Sequence, residues 1–197
     1  MNSKYIVKTL GCKANLYDSQ MIEAELSKRG WGTSEGETEL CIVNSCTVTD
    51  EADKQSRKMA AKLAKEYPNA KIVMTGCGAE VDPDLMAKSK GVDFVVGNRD
   101  KSAMIDMVLS AEKNQGELVL GQILGRVSAY EEMNSRHPID REWPTPEAVF
   151  MSPSRSEVLG ESSRKRAFLK IQEGCNQFCT YCVIPYGRGP SRSLPLD

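Results

Sequence analysis

Six of the seven cysteines fall into two groups whose spacing is typical of metal or cluster ligands. The groups are Cys12, Cys46 and Cys77, named here the first triplet, and Cys175, Cys179 and Cys182, named the second triplet. An odd number of cysteines, in a chain without the basic-then-apolar start of a secretion signal, argues against a disulfide framework. In a reducing compartment, cysteines grouped in this way are more often ligands than cross-links. The sequence therefore predicts two thiolate sites.

The cysteines of the first triplet share one local pattern, in which a predicted strand is followed by a small residue and then by the cysteine. The three segments read TLGC, VNSC and MTGC. Parallel strands all end at one edge of their sheet, where open α/β sheets bind ligands, so we expect the three thiols to emerge there together. The small residues Gly11, Ser45 and Gly76 leave room for a bulky group beside the backbone. The alternative interpretation is three ordinary buried core cysteines.

The chemistry of the first triplet favours an iron–sulfur cluster over zinc. Structural zinc sites usually take four protein ligands, whereas three thiolates without a nearby histidine suit a [4Fe–4S] cluster that keeps one open iron. The remaining cysteine, Cys41, lies at the start of the second predicted strand, at the end away from the ligand edge. We interpret Cys41 as a core residue.

The second triplet has the spacing C-x3-C-x2-C, which allows one tight loop to place three thiolates on three corners of a cubane. Bacterial ferredoxins use C-x2-C-x2-C with a fourth cysteine, and zinc modules use paired C-x2-C groups with further ligands, so neither pattern fits. The one histidine, His137, lies in a proline-rich stretch and is interpreted as a solvated residue. This loop is therefore a second candidate for a [4Fe–4S] cluster.

The elements that must position these cysteines alternate between strands and helices. Predicted strands cover residues 4–9, 40–44, 71–75 and 92–96, and predicted helices cover 15–29, 49–67, 83–90 (short) and 100–112. Alternation of this kind requires crossover connections and a parallel sheet with helices on its faces. We therefore expect an α/β fold with a small parallel sheet and flanking helices.

Three segments are expected along the chain. Residues 1–115 form the α/β domain, 116–163 form a connector rich in proline and weak in periodicity, and 164–197 begin a second domain. A further strand is predicted at residues 167–171, leading directly into the second triplet.

The bulk composition excludes several classes of protein. The formal net charge is −1 and the hydrophobic fraction is 40%, as in an ordinary globular protein, without the strongly basic balance of a nucleic-acid-binding domain. No apolar run approaches the roughly 20 residues that a membrane helix needs, so no membrane partner is expected. With no secretion signal, we expect a cytoplasmic protein.

The second triplet, with the aromatic Tyr181 just before its last cysteine, resembles the cysteine loop of the radical-SAM superfamily. Preceded by an α/β domain with three strand-end cysteines, it resembles the radical-SAM methylthiotransferase family over residues 4–110 and 165–193. The resemblance implies two [4Fe–4S] clusters and S-adenosyl-L-methionine as cofactors, with the first triplet on an auxiliary cluster. It also implies that Tyr181 lies against the adenine of S-adenosylmethionine, and that residues 164–197 are the start of an incomplete partial β/α barrel.

Within this family the strings TLGCKAN, NSCTVTDEADKQSRK, TGCGAEVDP and RAFLKIQEGCNQFCTYCVIPYGRG look most like one branch. That branch, the bacterial MtaB type, modifies N6-threonylcarbamoyladenosine at position 37 of tRNA. The branch that acts on isopentenyl-modified adenosine is the alternative. The branch that acts on a ribosomal protein usually reads GCPKN at the first cysteine, which this sequence does not.

The resemblance also implies a reaction and its partners. One S-adenosylmethionine would methylate a sulfur held on the auxiliary cluster. A second, cleaved at the other cluster, would give the radical that takes hydrogen from adenine C2. The partners implied are the anticodon loop of tRNA and a reductant such as a flavodoxin or ferredoxin. Since family members continue through a full partial barrel and an RNA-binding module, we expect this chain alone to be inactive. The alternative from another class is a non-catalytic cluster-binding module.

Four further residues are weaker candidates. Arg188 and Arg192 follow the second triplet and either reach a carboxylate or phosphate or are solvated basic residues. Asn15 and Asn44 flank the first triplet, and helix capping is the favoured interpretation over hydrogen bonds to cluster sulfurs.

Overall fold

The computed structural model describes residues 3–33, 36–113, 122–124, 143–145 and 170–193. Within these ranges six strands form one sheet, and they are Lys4–Thr9 (β1), Gly32–Thr33 (β2), Leu40–Ser45 (β3), Lys71–Gly76 (β4), Phe94–Val96 (β5) and Gln122–Leu124 (β6). Every pair of neighbouring strands is parallel, and the order across the sheet is β2-β1-β3-β4-β5-β6. The predicted α/β fold with a parallel sheet is therefore confirmed.

Six α-helices are present among the described residues. They are Lys13–Lys28 (α1), Asp50–Glu66 (α2), Cys77–Val81 (α3), Pro83–Ala87 (α4), Met104–Ser110 (α5) and Ile184–Arg188 (α6). Thr49 is the N-cap of α2, and its hydroxyl oxygen accepts a hydrogen bond from the Ala52 amide at 3.1 Å. The predicted helix over 100–112 is instead a 3-10 turn, Lys101–Ala103, followed by α5. No described helix combines the length and apolarity needed to cross a bilayer.

Several short elements escaped the sequence prediction. β2 and β6 have two and three residues, and α3 and α6 have five each, so all four are too short for periodicity to reveal them. β6 lies within the range expected to be a connector. The strand predicted at residues 167–171 falls mostly outside the described residues, and its last two residues, Lys170 and Ile171, are not in a strand. The boundaries of the three predicted segments stay a prediction.

The sheet is buried on both faces, and alternate residues of each strand enter opposite layers. In β3, Cys41 and Val43 pack with α2 in one layer, whereas Leu40 and Ile42 pack with α1 in the other. All six residues of β3 are buried, which is why central parallel strands read as nearly continuous apolar runs. Helices cover both faces of the sheet with apolar side chains. The carboxyl edge of the sheet is therefore the place left for thiol and amide side chains.

The turn from β4 into α3 leaves no room for a side chain. Gly76 has φ +93°, and a Cβ atom there would meet Asn44 Oδ1 and would lie 2.5 Å from the Ser45 carbonyl oxygen. Only glycine combines this left-handed backbone with so close an approach of the neighbouring strand. The turn fixes where Cys77 leaves the sheet.

We expect Gly76→Ala to lower the free energy of unfolding by about 3 kcal/mol, from the strained backbone and the overlap with β3 together. Gly30→Ala is the matched control, because Gly30 has φ +80° but nothing within 4 Å of a Cβ atom. The control should cost about 1 kcal/mol from backbone strain alone. Urea denaturation of both variants measures the difference, and equal losses would contradict the close approach at Gly76.

Cys41 is a core residue, as predicted. Its side chain is 0% exposed in the layer under α2, and burial raises the pKa of its thiol to about 12. We expect Cys41 of the metal-free native protein to resist iodoacetamide at pH 9, where on the order of one thiol in a thousand is ionised. The exposed Cys12 should react under the same conditions. Peptide mass spectrometry reads both sites, and rapid native labelling of Cys41 would refute its place in the core.

Candidate metal centre

The first triplet lies at the point where the strand order reverses. The chain goes from β1 outward to β2 on one side, and from β3 to β4 and β5 on the other. Cys12 follows β1, Cys46 follows β3 and Cys77 follows β4, so the three thiols lie beyond the carboxyl ends of three adjacent strands. A crevice at such a reversal is where open α/β sheets bind ligands. The structure thus brings all three predicted thiols to one edge.

Cys46 and Gly11 pack directly against each other at this edge. A Cβ atom on Gly11 would lie 2.6 Å from Cys46 Sγ, and Gly11 has φ +90°. The Cys46 amide donates to Ser56 Oγ of α2 at 3.2 Å, which ties the residue to the next helix. Cys46 is buried, whereas Cys12, one residue beyond Gly11, is exposed. The small residue at position 11 was predicted to leave room for a bulky ligand, but the space beside Gly11 is taken by the Cys46 side chain.

Cys77 is the first residue of α3 and is only 3% exposed. Its thiol lies 3.9 Å from Asn15 Oδ1, and the Asn98 side-chain amide donates to Cys77 Sγ at 3.7 Å. Burial raises the pKa of this thiol, against the opposing pull of the Arg188 and Lys101 cations. Binding of a metal deprotonates such a thiol, so loading of this site is expected to release a proton.

Asn15 and Asn44 do not cap helices, so the favoured interpretation was wrong. Asn15 Nδ2 donates to the carbonyls of Leu10 and Ser45, both at 2.8 Å, and so joins the ends of β1 and β3. Asn44 Nδ2 donates to the Asn15 carbonyl at 2.8 Å. The N-cap of α1 is Cys12, without a side-chain cap bond. The Asn15 amide thus satisfies carbonyls at the strand ends, and the Asn44 amide joins β3 to α1.

The donor set of the first triplet, three thiolates, is of the chemical kind that an iron–sulfur cluster takes. Among the described residues, no three Cys, His, Asp or Glu side chains are grouped to hold one ion. A tetrahedral zinc ion needs its thiolates within about 4 Å of one another, since each Zn–S bond is about 2.3 Å. The corners of a cubane hold thiolates further apart, and thiolates are the ligands that iron–sulfur clusters take.

The second triplet forms an open loop. The Cys175 amide donates to the Gly189 carbonyl at 3.0 Å, and the Cys182 amide donates to the Cys179 carbonyl at 2.9 Å. Phe178, just before Cys179, has φ +46°, which turns the backbone sharply inside the C-x3-C interval. Cys179 is exposed and Tyr181 is 90% exposed, so the thiol and the ring face outward. Cys175 and Cys182 are half-buried, so Cys179 is the most exposed thiol of this loop.

The chain after the second triplet returns to the first. α6 packs on α3, and a Cβ atom on Gly187 would lie 3.3 Å from Cys77 Cβ. The side-chain amide of Asn98 donates to the Gly187 carbonyl at 2.6 Å while it also contacts Cys77 Sγ. The two triplets are therefore joined through this helix, although 98 residues separate Cys77 from Cys175 in the sequence.

Arg188 and Arg192 are not solvated basic residues. Arg188 is buried and donates to Asp18 Oδ2 at 2.9 Å and to Glu173, so the carboxylates that it reaches are the protein's own. Arg192 donates to the Arg188 carbonyl at 2.6 Å, and its guanidinium lies 5.3 Å from the ring centroid of Trp143. His137, also considered in the sequence, lies outside the described residues.

Asp18 and Asn98 are two residues at this site that the sequence analysis missed. Asn98 follows β5 in the way that Cys77 follows β4, so extending the strand-end pattern by one strand would have identified it. Asp18 lies three residues after Asn15 on α1, and therefore on the same face of the helix. A polar pair on the buried face of a helix is the signal that was available.

Comparison with known proteins finds relatives along nearly the whole chain. Residues 4–97 match the family model described as uncharacterized protein family UPF0004. The chain is 33% identical over 197 residues to threonylcarbamoyladenosine tRNA methylthiotransferase MtaB of Aquifex aeolicus (strain VF5). This alignment covers 98% of this chain and 42% of that protein. The protein of the same name from Bacillus subtilis (strain 168) is 32% identical over 187 residues, covering 94% and 36%.

A second group of relatives carries a different name. The tRNA-2-methylthio-N(6)-dimethylallyladenosine synthase of Wolbachia pipientis wMel is 28% identical over 194 residues, covering 97% of this chain and 39% of that protein. The chain thus spans about two fifths of the length of the curated relatives it matches. Each match covers at least 94% of the chain. On this similarity, the chain belongs to the methylthiotransferase family.

Proposed function

We propose that this protein is a radical-SAM tRNA methylthiotransferase that acts in the cytoplasm on C2 of N6-threonylcarbamoyladenosine at position 37. The observation that carries the proposal is the juxtaposition of two cysteine sets. Three thiols lie at the carboxyl edge of one sheet, and the helix that follows a C-x3-C-x2-C loop packs on one of them. A sulfur-inserting enzyme needs its radical source and its sulfur-carrying site close together, because a carbon radical must meet sulfur before it meets water or oxygen.

The ligand sets divide by role in this proposal. Cys12, Cys46 and Cys77 would hold an auxiliary [4Fe–4S] cluster, and the second triplet would hold the cluster that binds S-adenosylmethionine. When bound, these groups supply reductive cleavage of the sulfonium and a site for the transferred sulfur. Tyr181, which is exposed, would lie against the adenine of S-adenosylmethionine largely through its backbone.

The protein's own residues would shield and orient the first site. Gly11 closes the backbone onto Cys46, and α6 covers Cys77, so water reaches these two sulfurs poorly. The Asn98 amide hydrogen points at Cys77 Sγ, where it would stabilise a thiolate ligand. Cys12, which is exposed, leaves the crevice accessible from the side of α1.

The substrate branch is supported by the names of the relatives. Relatives named for threonylcarbamoyladenosine are 30–33% identical to this chain, and relatives named dimethylallyladenosine synthase are 28–30% identical. The dimethylallyladenosine branch is the second candidate. We also propose that a flavodoxin or ferredoxin supplies the electrons, since a sulfonium is cleaved reductively.

The two-cluster proposal predicts the iron content. Anaerobically reconstituted protein should bind about eight iron and eight sulfide per chain, as two cubanes require. Replacing Cys12, Cys46 and Cys77 with Ala should lower both to about four, with loss of half the absorbance near 400 nm. Cys41→Ala is the matched control and should keep all eight, because Cys41 is a core residue on the other end of its strand. Iron content unaltered by the triple change would exclude the first site.

The substrate assignment predicts a change in cellular tRNA. Deletion of the gene should remove the 2-methylthio group from threonylcarbamoyladenosine and leave the unthiolated nucleoside, which mass spectrometry of digested tRNA distinguishes. Loss of the group from the dimethylallyl nucleoside instead would favour the second candidate. No change in either nucleoside, in a protein that still binds two clusters, would favour a non-catalytic cluster-binding module. Complementation with the intact gene is the control.

A further inference from the structure

Five charged side chains form a cluster, named here the buried ion cluster, between the two cysteine sites. Its members are Asp18 on α1, Lys101 in the 3-10 turn, Lys170 and Glu173 before the second triplet, and Arg188 on α6. Each side chain is at most 15% exposed. Nothing in the proposed reaction uses these groups.

Asp18 is the common partner of the three cations. Its carboxylate oxygens lie 3.0 Å from Lys101 Nζ, 2.6 Å from Lys170 Nζ and 2.9 Å from Arg188 Nη2. Burial by itself would raise the pKa of Asp18, but the three cations together hold it well below its usual range. Asp18 is therefore ionised at neutral pH. It gives α1 a fixed negative charge with which Lys170 and Arg188 of the later segments pair.

Arg188 connects this cluster to the first triplet. Besides Asp18 and Glu173, its guanidinium donates to Asn15 Oδ1 at 2.5 Å. The other end of the Asn15 side chain holds the carbonyls of Leu10 and Ser45 at the ends of β1 and β3. A continuous set of hydrogen bonds thus runs from α6 to the strand ends that carry the first triplet.

A second connection runs in parallel through Asn98. Its amide nitrogen lies 2.6 Å from the Gly187 carbonyl oxygen and 3.7 Å from Cys77 Sγ. Because Gly187 and Arg188 are consecutive, this part of α6 is held from two sides. The Asn98 side chain binds Gly187, and Asp18 and Glu173 bind Arg188. This segment begins five residues after Cys182.

We infer that Arg188 is a positioning residue that locks the helix after the second triplet onto Cys77. The inference rests on the proposed function for its purpose, because only a two-site reaction requires the two triplets to be held in one relative position. Its geometry stands independently of that function.

The form of the cluster favours positioning over simple stabilisation. A buried ion pair adds little net stability relative to apolar residues of the same volume, so five buried charges are a poor way to stabilise a junction. A planar guanidinium with several donors fixes the relative orientation of its partners, which a lysine ammonium does less well. Three acceptors on two separate segments, Asn15 and Asp18 of α1 and Glu173 before the second triplet, use that property.

Differential thiol labelling of the metal-free protein tests the inference without any activity assay. Cys77 is covered by α6 and Cys41 by the core, so both should label slowly with N-ethylmaleimide in the wild type. In Arg188→Lys and Arg188→Met, Cys77 should label about tenfold faster, because loss of a charge-assisted hydrogen bond shifts a local opening equilibrium by a factor of that order. Cys41 should keep its wild-type rate in both variants.

One control variant and one further test variant make the result decisive. Arg29→Lys changes an arginine that pairs on the surface with Glu25 and Asp106, and should leave the Cys77 rate unchanged. Asn98→Ala removes the second connection without altering any charge, and should also expose Cys77. This variant keeps the test informative if Arg188→Met does not fold.

Three outcomes would overturn the inference. An unchanged Cys77 rate in the Arg188 and Asn98 variants would show that α6 is held by other contacts. Equal acceleration at Cys77 and Cys41 would show that Arg188 only stabilises the whole fold. Wild-type protection in Arg188→Lys, with exposure in Arg188→Met, would show that charge alone suffices and that the shape of the guanidinium does not matter. Failure of the tRNA test above would leave all of these results intact.

Discussion

Parallel pairing of the strands is the constraint on which the other features depend. Since every strand runs in the same direction, the residues that follow β1, β3, β4 and β5 all emerge at one edge of the sheet. The register then sets their relative heights, with Ser45 beside Gly76 and Asn44 beside Thr75. The candidate site is assembled from four separate parts of the chain, and this assembly follows from the direction and register of the strands without any long-range pairing specific to the cysteines.

Close approach of the backbone is the second requirement, because strands about 5 Å apart leave little space between the groups that follow them. Gly11 accommodates the Cys46 side chain against its α-carbon, and Gly76 accommodates the end of β3. Asn15 satisfies two carbonyls that have no further strand partner. The candidate site is thus bordered by two glycines and one side-chain amide beside its thiols.

The contact between the two cysteine sites has a different physical character. The sheet and its helices are joined by apolar burial, whereas α6 meets α1 through ionised side chains and α3 through a glycine. Charges that are buried and paired define an orientation closely, but they contribute little net stability. The junction is therefore suited to setting the position of the second triplet, while the sheet maintains the fold.

By itself the sequence determined the alternation of strands and helices, the three strand-end thiols, the core position of Cys41 and the resemblance to a known family, because each depends on local pattern or spacing. Only the tertiary structure decided the reversal of strand order at the first triplet, the role of Asn15 and the burial of Arg188. Arg188 and Asp18 are 170 residues apart, and arginine and aspartate are residue types ordinarily found on the surface. No local pattern marks such a pair, since burial of a charge depends on which distant segments come to cover it.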